Sequence, residues 1–186
     1  TAASFSTLLA AYFQDPDALA IPGSNSLDGV AISAFNNAGL GEWQVSLNGT
    51  DWVALSTING SVAGGISTTK ALLLNAATQV RFAPSANANT AGSVTRPSLA
   101  VHPVEASVPA GSLNAGVGEA AGPVTFVSDL LLPLTYDTTA APLESRVAGA
   151  SVIVDAQISA RNDSPLFAAG TAWTGTLIES PVNNVG

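Results

Sequence analysis

The chain has 186 residues, 47% of them hydrophobic but only 6% aromatic, with 17 Gly and 11 Pro. That length suits one substantial β domain, or one domain and the start of another, and the Gly and Pro spread along it argue against long helices. Thirteen acidic residues face five basic ones, a net charge of −8; no basic patch exists to neutralise phosphates, so neither nucleic acid nor an anionic membrane surface is an expected partner. Sparse carboxylates in a chain with a single lysine, Lys70, suit hard cations, Ca²⁺ above all. The absence of Cys excludes disulfides, thiolate catalysis and Cys-ligated zinc. No apolar run reaches the roughly 18 residues of a spanning helix, so no membrane insertion is expected. No basic-then-apolar leader opens the chain, and the expectation is a module excised from a longer protein.

The first segment, "SFSTLLAAYFQ" (4–14), sets Leu8, Leu9, Tyr12 and Phe13 at the spacing of a short amphipathic helix, with a strand as the rival reading. "DPDALAIPGSNSLDG" (15–29) is a loop broken by Asp-Pro, Pro-Gly and Asp-Gly pairs. From "VAISAF" (30–35) the period falls to two. "EWQVSL" (42–47) alternates Trp43, Val45 and Leu47 against Gln44 and Ser46, and "NG" then leads into "TDWVAL". Alternating strand, Asn-Gly, apolar strand predicts a hairpin with a type I′ turn. It brings Trp43 and Trp52 into one neighbourhood, at least one of them anchoring the core.

"NGSVAGGIST" (59–68) reads as a loop and "ALLLNAATQVRFAP" (71–84) as two strands with Val80 and Phe82 on one face. "SANANTAGS" (85–93) is a loop, and "SLAVHPV" (98–104) is a strand whose end Pro103 demotes to an edge or a turn. Residues 109–123 are low in complexity. "VTFVSDLLLPLTYD" (124–137), "RVAGASVIVDAQISA" (146–160) and "TAWTGTLIES" (171–180) supply the later strands. Seven to nine short strands predict an all-β sandwich.

The central block resembles the tandem cadherin-like or immunoglobulin-like modules of giant bacterial surface adhesins of the repeats-in-toxin type. The residues that carry the likeness are Gly41, Trp43, Gln44, Ser46, Asn48, Gly49 and Trp52, then Leu72, Leu73, Leu74, Arg81, Phe82, Pro84, Asn87 and Asn89. "ARNDSPLFAAG" is similar to the Asn-Asp-x-Pro linker between such modules, and "QDPDA" to their Asp-x-Asp calcium segment. The chain departs from the pattern at His102-Pro103-Val104-Glu105, where the modules often carry an aromatic-Asp pair. The resemblance implies an immunoglobulin/cadherin-like β-sandwich with long loops and at most one or two short helices. It implies residues 1–165 as one module, with 166–186 a final strand or the start of the next. It also implies a secreted or cell-surface bacterial protein active in cell adhesion and biofilms.

Asp15 and Asp17 sit two apart in a Pro-containing turn, where their side chains can converge on one ion. Asn162 and Asp163 can add a carbonyl and a carboxylate. Calcium takes six to eight oxygens, so Asp28, backbone carbonyls or water must complete the shell. As turn residues or helix caps, Asp15 and Asp17 would have no such role. His102 is the one possible imidazole base and is followed by Pro; no Gly-x-Ser-x-Gly elbow appears, and one His does not make a His₂ or His₃ zinc site. Catalysis is therefore not expected, with a glycoside hydrolase-like pair of carboxylates the distant alternative. The expected function is calcium-dependent adhesion to a peptide or saccharide on a host or neighbouring cell, beside adjacent modules of the same chain. The alternative is a calcium-stiffened spacer. The long irregular stretches at 59–68 and 105–123 favour the binder, because loops carry function more often than strands.

Overall fold

The computed structural model describes residues 1–11, 27–86, 88–90, 95–105, 126–139, 147–148 and 150–159. Its elements run β1 (Ala3–Ser4), α1 (Phe5–Leu9), β2 (Leu27–Asn36), β3 (Gly41–Ser46), β4 (Val53–Ala54), α2 (Leu55–Ser61), β5 (Ala71–Asn75), β6 (Gln79–Pro84), β7 (Ser98–Glu105), β8 (Thr135–Tyr136) and β9 (Val152–Asp155). The strands form two antiparallel sheets, ordered β1-β6-β3-β4 and β8-β5-β2-β7-β9. One apolar core joins them. Trp43, Val45 and Val80 enter it from the first sheet, and Val30, Ile32, Leu72, Leu74, Leu99 and Val101 from the second. The described residues thus form an all-β sandwich with two short helices, as the period-two segments predict. Within it β2 pairs with β5 and β3 with β6, with β1 beside β6 and β7 beside β2.

Alternation explains the inner face. Trp43 opposes Phe82 and Val45 opposes Val80 across β3 and β6, and the Trp43 and Phe82 rings meet edge-on at 5.2 Å. The β2 strand breaks its period once. Ile32 pairs with Val101 and Ala34 with Ala100, which leaves Ser33 as an extra residue in a bulge. The shift turns Phe35, rather than Ala34, toward the core. Asp28 sits in a second irregularity of the same strand, between Leu27 and Gly29.

The first segment resolves the helix–strand ambiguity by doing both. Ala3–Ser4 pairs with β6, and Ser4 then caps α1, its hydroxyl accepting the Thr7 N–H at 3.2 Å. Phe5 and Leu9, one helical turn apart, are fully buried. Tyr12 and Phe13 lie outside the described residues.

Four local expectations are corrected. "TDWVAL" is a strand only at Val53–Ala54; from Leu55 the chain turns into α2, so residues 59–61 are helical rather than loop. Leu55 and Ile58 bury one helix face, and Val62 follows at i+7. Asn48-Gly49 does not form a type I′ turn, because only Gly49 has positive φ, +79°; six residues separate Ser46 from Val53. Pro103 is not at an edge: β7 runs between β2 and β9. Its carbonyl faces away from β2 and accepts the Ala148 N–H at 2.9 Å. A residue's N and C=O share one side of an antiparallel strand, so the missing N–H takes no bond from the β2 ladder. Finally, of residues 126–137 only Thr135–Tyr136 is a strand. The rest crosses the outer face of the larger sheet, where Phe126, Tyr136 and Val147 pack on Ala31, Ala71, Leu73 and Val104. Gly29 permits this layer: a Cβ there would stand 2.2 Å from the Phe126 ring.

Candidate functional site

Strand alternation sends Arg81 outward between the core residues Val80 and Phe82, and Gln44 outward between Trp43 and Val45. The register sets these two polar side chains opposite each other. The Arg81 Nε–H donates to Gln44 Oε1 at 2.8 Å. Its guanidinium lies over the Trp52 ring, 4.0 Å from the centroid. Trp52 immediately precedes β4, so three neighbouring parts of one sheet hold one cation in place. An exposed cation–π contact is worth about 0.5–1 kcal/mol, enough to restrict a long side chain. Glu42, on the same face, is taken up by the Asn37 amide at 3.2 Å and the Ser56 hydroxyl at 3.0 Å. No carboxylate among the described residues pairs with Arg81.

Trp43 and Trp52 therefore divide the labour. Trp43 is 4% exposed and its indole N–H donates to the Asn36 carbonyl at 3.2 Å. Trp52 is half-buried on the opposite face of the sheet.

Arg81 also lines a cleft of about 340 Å³ at the open flank of the sandwich, between the β1 and β9 edges of the two sheets. Leu8, Trp43, Phe82 and Val154 give the cleft apolar walls, and Arg81 and Asp155 border it with their side chains on the outer faces of their sheets. A shallower groove of about 400 Å³ lies between Lys70 and the exposed leucine turn, with Leu132 74% exposed. The Lys70 ammonium donates to the Ala63 carbonyl at its rim.

His102 is no strand-end residue. It lies inside β7, is 4% exposed, and uses both ring nitrogens. Nδ1 stands 2.8 Å from the Ala148 carbonyl and Nε2 3.0 Å from the Ser33 hydroxyl. A carbonyl only accepts, so Nδ1 carries the proton and, in the neutral ring, Nε2 accepts from Ser33. The β2 bulge is what aims Ser33 at the ring. Ser33 is itself 4% exposed, and its base is oriented by a backbone carbonyl.

Of the five residues expected to hold calcium, Asp28 is the one described. It is half-buried, and its backbone carbonyl accepts the Ala76 N–H at 2.8 Å. Asp15, Asp17, Asn162 and Asp163 lie outside the described residues, as do Trp173 and most of the 105–123 stretch. Among the described residues no three His, Asp or Glu side chains gather as a metal site, and no helix is long and apolar enough to cross a membrane. The sequence signal for Arg81 and Gln44 was present in the adhesin-like block; the register that joins them was not legible.

Compared with protein-family models, curated proteins and solved structures, the chain matches none.

Proposed function

We propose that this chain is a non-catalytic binding module of a large bacterial surface adhesin, which holds a peptide or saccharide of a host or neighbouring cell on the outer face of the smaller sheet, the one that contains β3 and β6. The observation that carries the reading is Arg81. In a chain of net charge −8, a guanidinium is held by Trp52 and Gln44 without a described carboxylate partner, on the outer face of that sheet. A spacer has no need of an oriented cation. A guanidinium fork recognises carboxylates bidentately. The ligand is therefore expected to carry a carboxylate, as an acidic peptide or an acidic sugar does. Calcium belongs to the same proposal through Asp15, Asp17, Asp28, Asn162 and Asp163, and it stiffens the module rather than reacting.

The test uses arrays of linear peptides and of saccharides, probed with the wild-type chain and with Arg81→Ala and Arg81→Lys. Retained carboxylate-bearing compounds should bind Arg81→Ala about ten- to a hundredfold more weakly, the scale of a lost charged hydrogen-bond pair. Arg81→Lys should recover part of the loss. Carboxylate binders that hold wild type and Arg81→Ala equally well would remove the proposal.

A further inference from the structure

A ligand laid on the outer face of the smaller sheet meets side chains, because the ladder edges of that sheet belong to β1 and β4. Three of those side chains have polar atoms left over. A guanidinium only donates, so the Gln44 oxygen faces Arg81 and the Gln44 Nε2 donors face away from it. The terminal nitrogens of Arg81 have no hydrogen-bond partner among the described residues. Glu42 receives both Asn37 and Ser56 on Oε2, which leaves Oε1 as an acceptor. No buried side-chain N or O among the described residues lacks a partner, so these leftover atoms are within reach of solvent. Glu42 and Gln44 stand two residues apart on one face of β3, about 7 Å by the strand rise, and Arg81 stands across the ladder from Gln44.

A charged donor, a neutral donor and a charged acceptor thus share one patch, with the Trp52 ring fixing the guanidinium from behind. A carboxylate offers only lone pairs, so it suits Arg81 and Gln44 and is repelled at Glu42. The ligand must therefore bring one acid and, a few ångströms away, a group that donates. We propose that this patch binds a uronic acid residue within an otherwise neutral saccharide, its carboxylate on Arg81 and Gln44 and a ring hydroxyl donating to Glu42 Oε1. The inference rests on the binding-module reading and narrows its ligand from peptide or saccharide to a singly charged sugar acid. A pyranose ring holds its acid and its hydroxyls in fixed relative positions. It loses fewer torsions on binding than an acidic peptide, whose side chains must be ordered one by one. Glu42 and the net charge of −8 both disfavour a densely charged ligand, a polyuronate as much as a run of acidic residues.

The probe is a trisaccharide with a central glucuronic acid between two neutral hexoses, titrated into the full chain beside its methyl ester and followed by calorimetry and by amide shifts. Esterification keeps the shape and the hydroxyls and removes the charge, so it should weaken binding about tenfold or more. Arg81→Ala should weaken the acid to the same extent and leave the ester nearly unchanged. The ester comparison needs no variant and stands even where one folds poorly. Glu42→Ala should weaken the acid about threefold to tenfold, the loss of a hydrogen bond to a charged group. The same variant should bind a Gly-Ser peptide carrying three Glu more tightly, because it removes a repulsion. A capped Gly-Ser peptide with one Glu should bind the wild type at least about tenfold more weakly than the trisaccharide does. If that peptide binds as tightly as the trisaccharide and loses affinity in Arg81→Ala, the sugar assignment is overturned and the binding module stands. Equal binding of acid and ester, or a gain for the trisaccharide in Glu42→Ala, also overturns it. No binding at millimolar trisaccharide overturns it too, and leaves the array experiment to decide the broader reading.

Discussion

His102 and Ser33 form a buried polar pair on the covered outer face of the larger sheet, and each depends on the other. Replacing His102 by Phe keeps the volume and removes the partner of a buried hydroxyl. The expected cost is about 1–3 kcal/mol, read as a lower urea midpoint at unchanged slope. Ser33→Ala together with His102→Phe should recover part of that cost, since removing both partners leaves nothing unpaired, and a double-mutant cycle isolates the coupling. A fully additive cycle would show that the pair contributes nothing of its own. The sequence singled out His102 but placed it at a strand end, because Pro103 follows it. What escaped it was the bulge at Ser33: a one-residue slip in pairing leaves no mark in composition or period. Trp43 was legible for the opposite reason, since its neighbours alternate cleanly and so few aromatics compete for the core.

The hairpin shows how far an element can be read and where the reading stops. The strand pairing of β3 with β4 follows from the alternation, and Gln44 opposes Ala54. The turn differs because the Asn48 side chain builds it. Its Oδ1 accepts from the Thr50 and Asp51 N–H groups at 2.9 and 2.8 Å, and its Nδ2 donates to Asp51 at 2.7 Å. An Asx-type loop of this kind competes with the two-residue turn that Asn-Gly otherwise favours. Gly49 keeps its importance through φ of +79°. Gly49→Val should destabilise the domain by about 1–3 kcal/mol, since a β-branched residue is strained there. A melting temperature within about a degree of wild type would show that the loop relaxes freely. Helix α2 was hidden by an overlap of signals: Val53 and Leu55 continue a period of two, while Leu55, Ile58 and Val62 already follow a helical one. Packing of Leu55 and Ile58 beneath the sheet decided between them.

At the scale of the molecule, the two-sheet architecture was legible from the alternation of β3 and β6 and the apolar run of β5, whereas the flank cleft arises from which strands stand at the edges. That depends on topology, which periodicity does not encode. The calcium proposal also belongs here, since an ion joining Asp15 and Asp17 to Asn162 and Asp163 would tie distant parts of the chain together. An ion that binds only the folded state adds about 2.7 kcal/mol at a hundredfold excess over its dissociation constant. Millimolar Ca²⁺ should therefore raise the melting temperature and EDTA lower it, and Asp15→Ala with Asp17→Ala should erase most of the difference. Identical melting in Ca²⁺ and in EDTA would take calcium out of the proposal. On the proposed adhesin reading the module would work under tension, and the first strand bears on that. Only Ala3 and Ser4 hold β1 to β6, with Phe5 and Leu9 plugged into the core behind them, whereas β2 pairs with β7 from Leu27 to Asn36 and with β5 from Gly29 to Ile32. A pull on the leading end thus meets a weak latch before a strong one. Release of residues 1–9, with β1 and α1, would give at most roughly 30 Å of extended chain at about 3.3–3.6 Å per residue, a small built-in shock absorber that yields while the two sheets still hold.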